Sequence, residues 1–293
     1  MTMLGSDLLH GVYVANVTPF HTDPARSIDV AAYRHHVRWL AGHGVDGIVP
    51  FGTNGEGPSV ATHEKLPVLE TLVADDLGIQ IVPTVAEGNL PDTVALLERL
   101  NDLAVAAVLV LPPYYFKPVE AEGLTAFYER VLEVSRHPVL AYHIPKYAVP
   151  VPLALVTSLP LWGVKDSDGK PAYSEAVRAS GRGVLLGTED DLPGRLPHVE
   201  GSISALANIV PEQVVELYRL VRDGEDARAQ ELSAHLQRVR ALTKEYASPG
   251  LLKVLAHGRH GTPMGTVRPP LVPVPDSYDV EDALGRLAVG PHA

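Results

Sequence analysis

Lys165 is the residue whose type and setting point most directly to chemistry. It lies in Leu161-Trp162-Gly163-Val164-Lys165-Asp166-Ser167, at the end of an apolar run that reads as a buried strand. Burial disfavours the charged form of a lysine. Taking an amine from its usual pKa of about 10.4 to about 7–8 requires roughly 4 kcal/mol of differential destabilisation of the cation. An apolar barrel interior can supply that, and the product is a neutral nucleophile able to condense with a ketone as a Schiff base. A lysine at a strand end can equally snorkel to solvent. Of the seven lysines in the chain, Lys165 alone directly follows an apolar strand-like run.

Other reactive groups sit at the ends of similar runs. Phe51-Gly52-Thr53-Asn54-Gly55-Glu56-Gly57 combines glycines with a hydroxyl. Exposed backbone N–H groups in such a turn form an anion-binding nest for a carboxylate, with the Thr53 hydroxyl as donor or proton relay. The same glycines serve an ordinary strand-to-helix turn. Pro113-Tyr114-Tyr115-Phe116-Lys117-Pro118 offers two phenols, which are also good packing groups. Tyr142, in Leu140-Ala141-Tyr142-His143-Ile144-Pro145, ends the run before that of Lys165, so sequential strands would set the two side by side. A phenol there can shuttle protons to a carbinolamine. Glu189 and Asp190, in Gly187-Thr188-Glu189-Asp190, suit either substrate hydroxyls or a helix cap.

Eight runs must position these groups: 11–20, 44–53, 79–86, 106–113, 138–145, 161–168, 183–190 and 201–206. Most are continuously apolar, as parallel strands covered on both faces are. Amphipathic helical stretches lie between them. Val30, Tyr33, Val37 and Leu40 share one helical face, and Leu124, Phe127, Val131 and Val134 share another. Pro67 interrupts the second helical pattern and predicts a late start or a kink. Strict alternation with eight strands predicts a (β/α)8 TIM barrel, whose catalytic groups come from the C-terminal strand ends. A doubly wound dinucleotide fold is disfavoured, because no G-x-G-x-x-G follows the first run. We expect the barrel over residues 1–222. A C-terminal helical extension with a proline-rich tail is expected over 223–293.

The bulk composition sets limits. Hydrophobic residues make up 46% and charged residues 20% of 293, as in a soluble globular protein with a sizeable core. A net charge of −11 argues against nucleic acid or an anionic membrane surface as partner. The absence of cysteine removes disulfides, thiolate catalysis and Cys-type zinc sites. No H-E-x-x-H pattern or carboxylate–histidine cluster suggests a metal, and no G-K-[ST] ending suggests a P-loop. Met1 to His10 has no secretory pattern and no run approaches a membrane span, so cytoplasmic residence is expected.

Taken in order, several motifs resemble the dihydrodipicolinate synthase / N-acetylneuraminate lyase family of pyruvate-dependent class I aldolases. They are Val17-Thr18-Pro19-Phe20, Gly52-Thr53-Asn54-Gly55-Glu56, Tyr114-Tyr115-Phe116-Lys117-Pro118, Tyr142-His143-Ile144-Pro145, Gly163-Val164-Lys165-Asp166-Ser167 and Leu206-Ala207-Asn208. The resemblance implies a barrel with C-terminal helices, a homotetramer, and an imine on Lys165 with no metal or organic cofactor. It makes Tyr142 the proton carrier, Thr53 the relay hydroxyl, and Tyr115 a relay tyrosine donated by a neighbouring subunit. The N–H groups of Thr53 and Asn54 would hold the pyruvate carboxylate, with Ile203 walling the imine and Glu189 near substrate hydroxyls.

Tyr147 stands where dihydrodipicolinate synthases carry an arginine for their second substrate, with Lys146 beside it. The expected substrates are therefore a 2-oxo acid and an aldehyde, of the 4-hydroxy-2-oxoglutarate or 2-keto-3-deoxy sugar acid type. The alternatives are 4-hydroxy-tetrahydrodipicolinate synthase, a deoxy-sugar-acid dehydratase using the same imine, and a non-catalytic keto-acid-binding barrel.

Overall fold

The computed structural model describes residues 8–246 and 248–288. Met1–Asp7 of the amino-terminal reading and the last five residues of the tail lie outside them. The barrel strands are β1 (Gly11–Val14), β2 (Gly47–Ile48), β3 (Gln80–Ile81), β4 (Thr84–Val85) and β5 (Val108–Val110), followed by β6 (Val139–His143), β7 (Gly163–Asp166), β8 (Gly183–Leu186) and β9 (Gly201–Ser204). All pair in parallel, in the order β3-β2-β1-β9-β8-β7-β6-β5-β4.

Only Val82-Pro83 separates β3 from β4. Val82 and Thr84 donate to Ile48 and Pro50 on one side, while Ala106 and Leu109 donate from the other side to Ile81 and Pro83. Residues 80–85 therefore act as one strand bonded on both edges, and the sheet closes into the eight-stranded barrel that the alternation predicts.

Helices α1 (Val30–Gly42), α2 (Thr62–Ala74), α3 (Leu90–Leu100), α4 (Ala121–Val134), α5 (Leu153–Ser158), α6 (Pro171–Ala179), α7 (Leu192–Arg195) and α8 (Pro211–Arg222) alternate with the strands. Asp29 caps α1 by accepting from Ala32 N at 2.9 Å, and Asn89 caps α3 by accepting from Asp92 N at 2.9 Å. Helix α2 begins at Thr62 and runs through Pro67, so the late start does not occur. The period of two along each strand sorts side chains to two cores. Val12, Val108, Val164 and Val184 face the helices. Tyr13, Leu109, Leu140, Leu185 and Ile203 fill the barrel interior.

Beyond the barrel come α9 (Asp226–Leu242), α10 (Ser248–His260) and the short α11 (Val280–Gly285). The segment between α10 and α11 is irregular but not merely superficial, since Met264 and Val267 are buried. No helix among the described residues is long and apolar enough to cross a membrane. Asn208 joins the last strand end to the first, accepting from Val17 N at 3.0 Å and donating to Ala15 O at 3.0 Å.

A histidine pair docks α10 on α1. His36 Nδ1 lies 3.1 Å from His260 Nε2, and its Nε2 lies 3.1 Å from Asn208 Oδ1. Burial pushes His36 down to about 3 and His260 down to about 4. Both rings are thus neutral in the fold at neutral pH, whereas in the unfolded chain each titrates near about 6.5. The unfolded chain binds more protons below that value, so stability present above it is lost as pH falls towards about 4. For the enclosed His36 the slope approaches about 1.4 kcal/mol per pH unit. His36→Gln should flatten the decline in urea-derived stability between pH 6.5 and 5, while an unaltered slope would dismiss the ring as its source.

Candidate active site

The carboxyl ends of β2, β6 and β7 bring Thr53, Tyr142 and Lys165 into one mouth. Lys165 is the third residue of β7, and its side chain enters the barrel interior at 3% exposure. The strand register sets it opposite Tyr142 on β6 and Leu185 on β8. Its Nζ lies 4.5 Å from the centroid of the Tyr142 ring. The Tyr142 hydroxyl is 3.3 Å from Thr53 Oγ1, at the turn after β2. Amine, phenol and threonine hydroxyl are therefore consecutive neighbours.

The lysine's partners separate it from its buried counterparts. Lys65 is ion-paired with Glu87 and Lys253 with Glu56. Among the described residues no carboxylate lies within ion-pair distance of Lys165, whose amine faces an aromatic ring instead. The neighbouring Asp166 points to the opposite face of β7, where it accepts from Ser174 Oγ at 2.5 Å and meets Arg195 at 3.4 Å. A buried amine without a carboxylate is costly to keep, and such groups concentrate at reactive sites.

The turn that carries Thr53 and Asn54 is built on unusual backbone. Phe51 and Glu56 have φ of 60° and 54°, in the left-handed region that non-glycine residues rarely enter. Glycine is required between them, because a Cβ on Gly55 would come within 2.9 Å of Asn16 O and Phe51 N. Thr18 Oγ1 donates to Gly55 O at 2.7 Å, which explains why Thr18 and the glycine turn occur together. Strain of this kind persists only where surrounding contacts over-determine it, and it clusters at ligand sites.

Other expected residues are placed as follows. Ile203 lies in the interior core beside Tyr13. Tyr115 turns outward, 82% exposed and edge-on to the exposed ring of Phe116. Tyr147 is half-exposed, with the Lys146 ammonium 4.8 Å from its ring. Glu189 is buried, and its Oε1 already accepts from Ser204 Oγ at 2.9 Å and from Ala205 N at 3.0 Å. Its Oε2 lies 3.7 Å from Arg240 on α9, so the carboxylate braces the turn after β9. His143 faces away from the interior, stacked on Tyr173 at 4.0 Å and accepting from Val151 N at 3.1 Å. Burial lowers its pKa.

Ser167 acquires a place that motif reading did not give it. Its Oγ is buried and has no hydrogen-bond partner. Gly187 makes room for it: a Cβ there would collide with Ser167 Oγ and come within 3.0 Å of Lys165 Cε. The unpaired hydroxyl thus lies beside the lysine arm. Thr84 Oγ1, next to Gly52, is likewise buried without a partner. Buried hydroxyls without partners are uncommon enough to require a reason. The sequence signal was the serine two residues after the lysine, which only the fold brings back to the amine.

Comparison with known proteins shows the family and the fold. Residues 8–284 match the Dihydrodipicolinate synthetase family. An uncharacterised DapA-like lyase of Halobacterium salinarum is 34% identical over 274 residues, covering 90% of this chain and 88% of the relative. A 4-hydroxy-tetrahydrodipicolinate synthase of Methylobacterium radiotolerans is 33% identical over 299 residues, covering 97% of each. In fold, the chain resembles a Sulfolobus solfataricus 2-keto-3-deoxygluconate aldolase variant in a pyruvate complex. That likeness has a TM-score of 0.87 at 23% identity, over 94% of each chain. A barrel with its lysine, phenol and hydroxyl in one mouth, matched over nearly its whole length, thus belongs to the dihydrodipicolinate synthetase family and is a lyase of the class I aldolase type.

Proposed function

We propose that this enzyme forms a Schiff base between Lys165 and pyruvate or a related 2-oxo acid, and makes or breaks a C–C bond with an aldehyde. The observation that carries this reading is the buried amine over the Tyr142 ring, with Tyr142 in turn reaching Thr53. The 2-oxo acid carboxylate docks on the N–H groups of Thr53 and Asn54. Lys165 Nζ attacks the keto carbon, and the carbinolamine oxygen takes a proton and leaves as water. The resulting iminium is an electron sink. Its methyl carbon releases a proton to become an enamine, whose carbon then attacks the aldehyde carbon while the aldehyde oxygen takes up a proton. Water returns to the iminium and frees the product. Tyr142 and Thr53 carry these protons, and Ile203 walls the imine.

The unpaired Ser167 hydroxyl supplies a hydrogen bond for an oxygen on the aldehyde-derived half. Glu189, whose Oε1 is already bonded, supports that wall. Tyr147 and Lys146 at the mouth do not reproduce a guanidinium fork, which favours a 2-oxo acid aldolase over a dihydrodipicolinate synthase. The exposed Tyr115 and Phe116 suit a homotetramer in which Tyr115 serves a neighbouring subunit's relay. We place the barrel at 1–222 and the helical extension at 223–293, in a cytoplasmic enzyme.

Incubation with pyruvate and borohydride tests the reading. Intact mass should rise by one reduced pyruvyl group, carried on the peptide containing Lys165. Well-folded protein that gains no mass would exclude pyruvate as the imine partner.

A further inference from the structure

The turn that carries Thr53 and Asn54 is anchored by a charge pair that the chemistry above leaves unused. Glu56 closes that turn, donating its N–H to Thr53 O at 3.3 Å. Its carboxylate is ion-paired with Lys253 of α10, and both side chains have zero exposure. Lys253 Nζ also donates to Thr266 O at 3.0 Å and lies 4.1 Å from the Phe20 ring centroid. The other carboxylate oxygen of Glu56 accepts from Arg268 N at 2.9 Å. Arg268 continues outward to Glu64 at 2.6 Å and to Ser59 O at 2.8 Å. Residues 253–268 are thereby tied to the closing residue of the turn and to the segment that follows it.

Stability alone gives little reason for such a pair, since well-packed apolar side chains often serve as well or better. Buried ion pairs are better attested as devices that fix one geometry. Here the geometry fixed is that of a residue at φ 54°, three positions after Thr53. Burial pushes the Lys253 amine down to about 8 despite Glu56, in keeping with how fully the pair is enclosed.

We propose that Glu56 and Lys253 are positioning residues for the 2-oxo acid carboxylate, through which the C-terminal segment 253–268 sets the affinity of the barrel mouth for its keto acid. This rests on the carboxylate site assigned above to Thr53 and Asn54. Removing one partner strands a buried charge and endangers folding, so the useful variants are Glu56→Asp and the doubly neutral Glu56→Gln/Lys253→Met. The first keeps the charge at shorter reach, and the second removes both charges together.

The experiment titrates pyruvate against borohydride-trapped adduct in wild type and in both variants, with circular dichroism and thermal melts alongside. Half-saturation should rise by about ten- to a hundredfold, the size of one lost charge-assisted hydrogen bond. Trapping should remain complete at saturating pyruvate. Folded variants with lowered melting temperature but wild-type half-saturation would overturn the proposal, as would failure of both variants to fold, which would assign the pair to folding alone. Absence of any adduct on wild type would instead exclude pyruvate as the imine partner and overturn the reading on which the coupling rests.

Discussion

Lys165→Ala is expected to lose turnover by on the order of 10⁶-fold, the scale observed when a covalent nucleophile is removed elsewhere. The size follows from what disappears. Without the amine there is no iminium to take up the electrons left on the methyl carbon, and neither Tyr142 nor the turn at Thr53 supplies an equivalent sink. The fold should survive. Truncation leaves a cavity between Tyr142 and Leu185, which costs stability. It also removes a buried amine that has no carboxylate partner, which restores some of what burial took. The two terms oppose each other, each on the order of a few kcal/mol. Activity within about tenfold of wild type, from protein with an unchanged far-ultraviolet spectrum, would take the amine out of the mechanism.

The barrel was legible because its signals are local. Each strand is a short apolar run at a regular interval, and alternation of strand and helix has few packed solutions. The site was legible for a related reason. In this architecture chemistry collects at strand ends, so a lysine that closes an apolar run is conspicuous. Tyr142 and Lys165 could be paired in advance because sequential strands are neighbours, and the register sets them directly opposite.

Partners that are remote in sequence were not legible. Lys253 occupies an amphipathic helix, where a lysine ordinarily reads as solvated, yet it is fully enclosed by a glutamate 197 residues away. Glu189 was ambiguous between substrate and cap. In the structure its Oε1 braces the turn after β9 and the start of the short 3-10 helix Leu206–Asn208, a contact that exists only once the barrel has closed. His35 and His36 stand side by side on α1, far in sequence from the groups they meet. Their use in holding α10 depended on His260 arriving from the far end of the chain.

Tyr142→Phe separates imine formation from proton transfer. The substitution keeps the ring that covers the Lys165 amine at 4.5 Å and removes only the hydroxyl facing Thr53 at 3.3 Å. Packing is conserved and no cavity opens. Thr53 sits at the exposed rim, so its hydroxyl regains water, and the stability cost should stay near about 1 kcal/mol. If Tyr142 moves protons to and from the carbinolamine and the enamine, turnover should fall by roughly 10²–10⁴. Lys165 itself is untouched, so pyruvate should still be trapped by borohydride, more slowly but to completion. Slow turnover with complete trapping would locate the defect in proton transfer rather than in binding. A loss smaller than about threefold would reassign the proton to another group, and Thr53, the hydroxyl nearest the phenol, would be the next to replace.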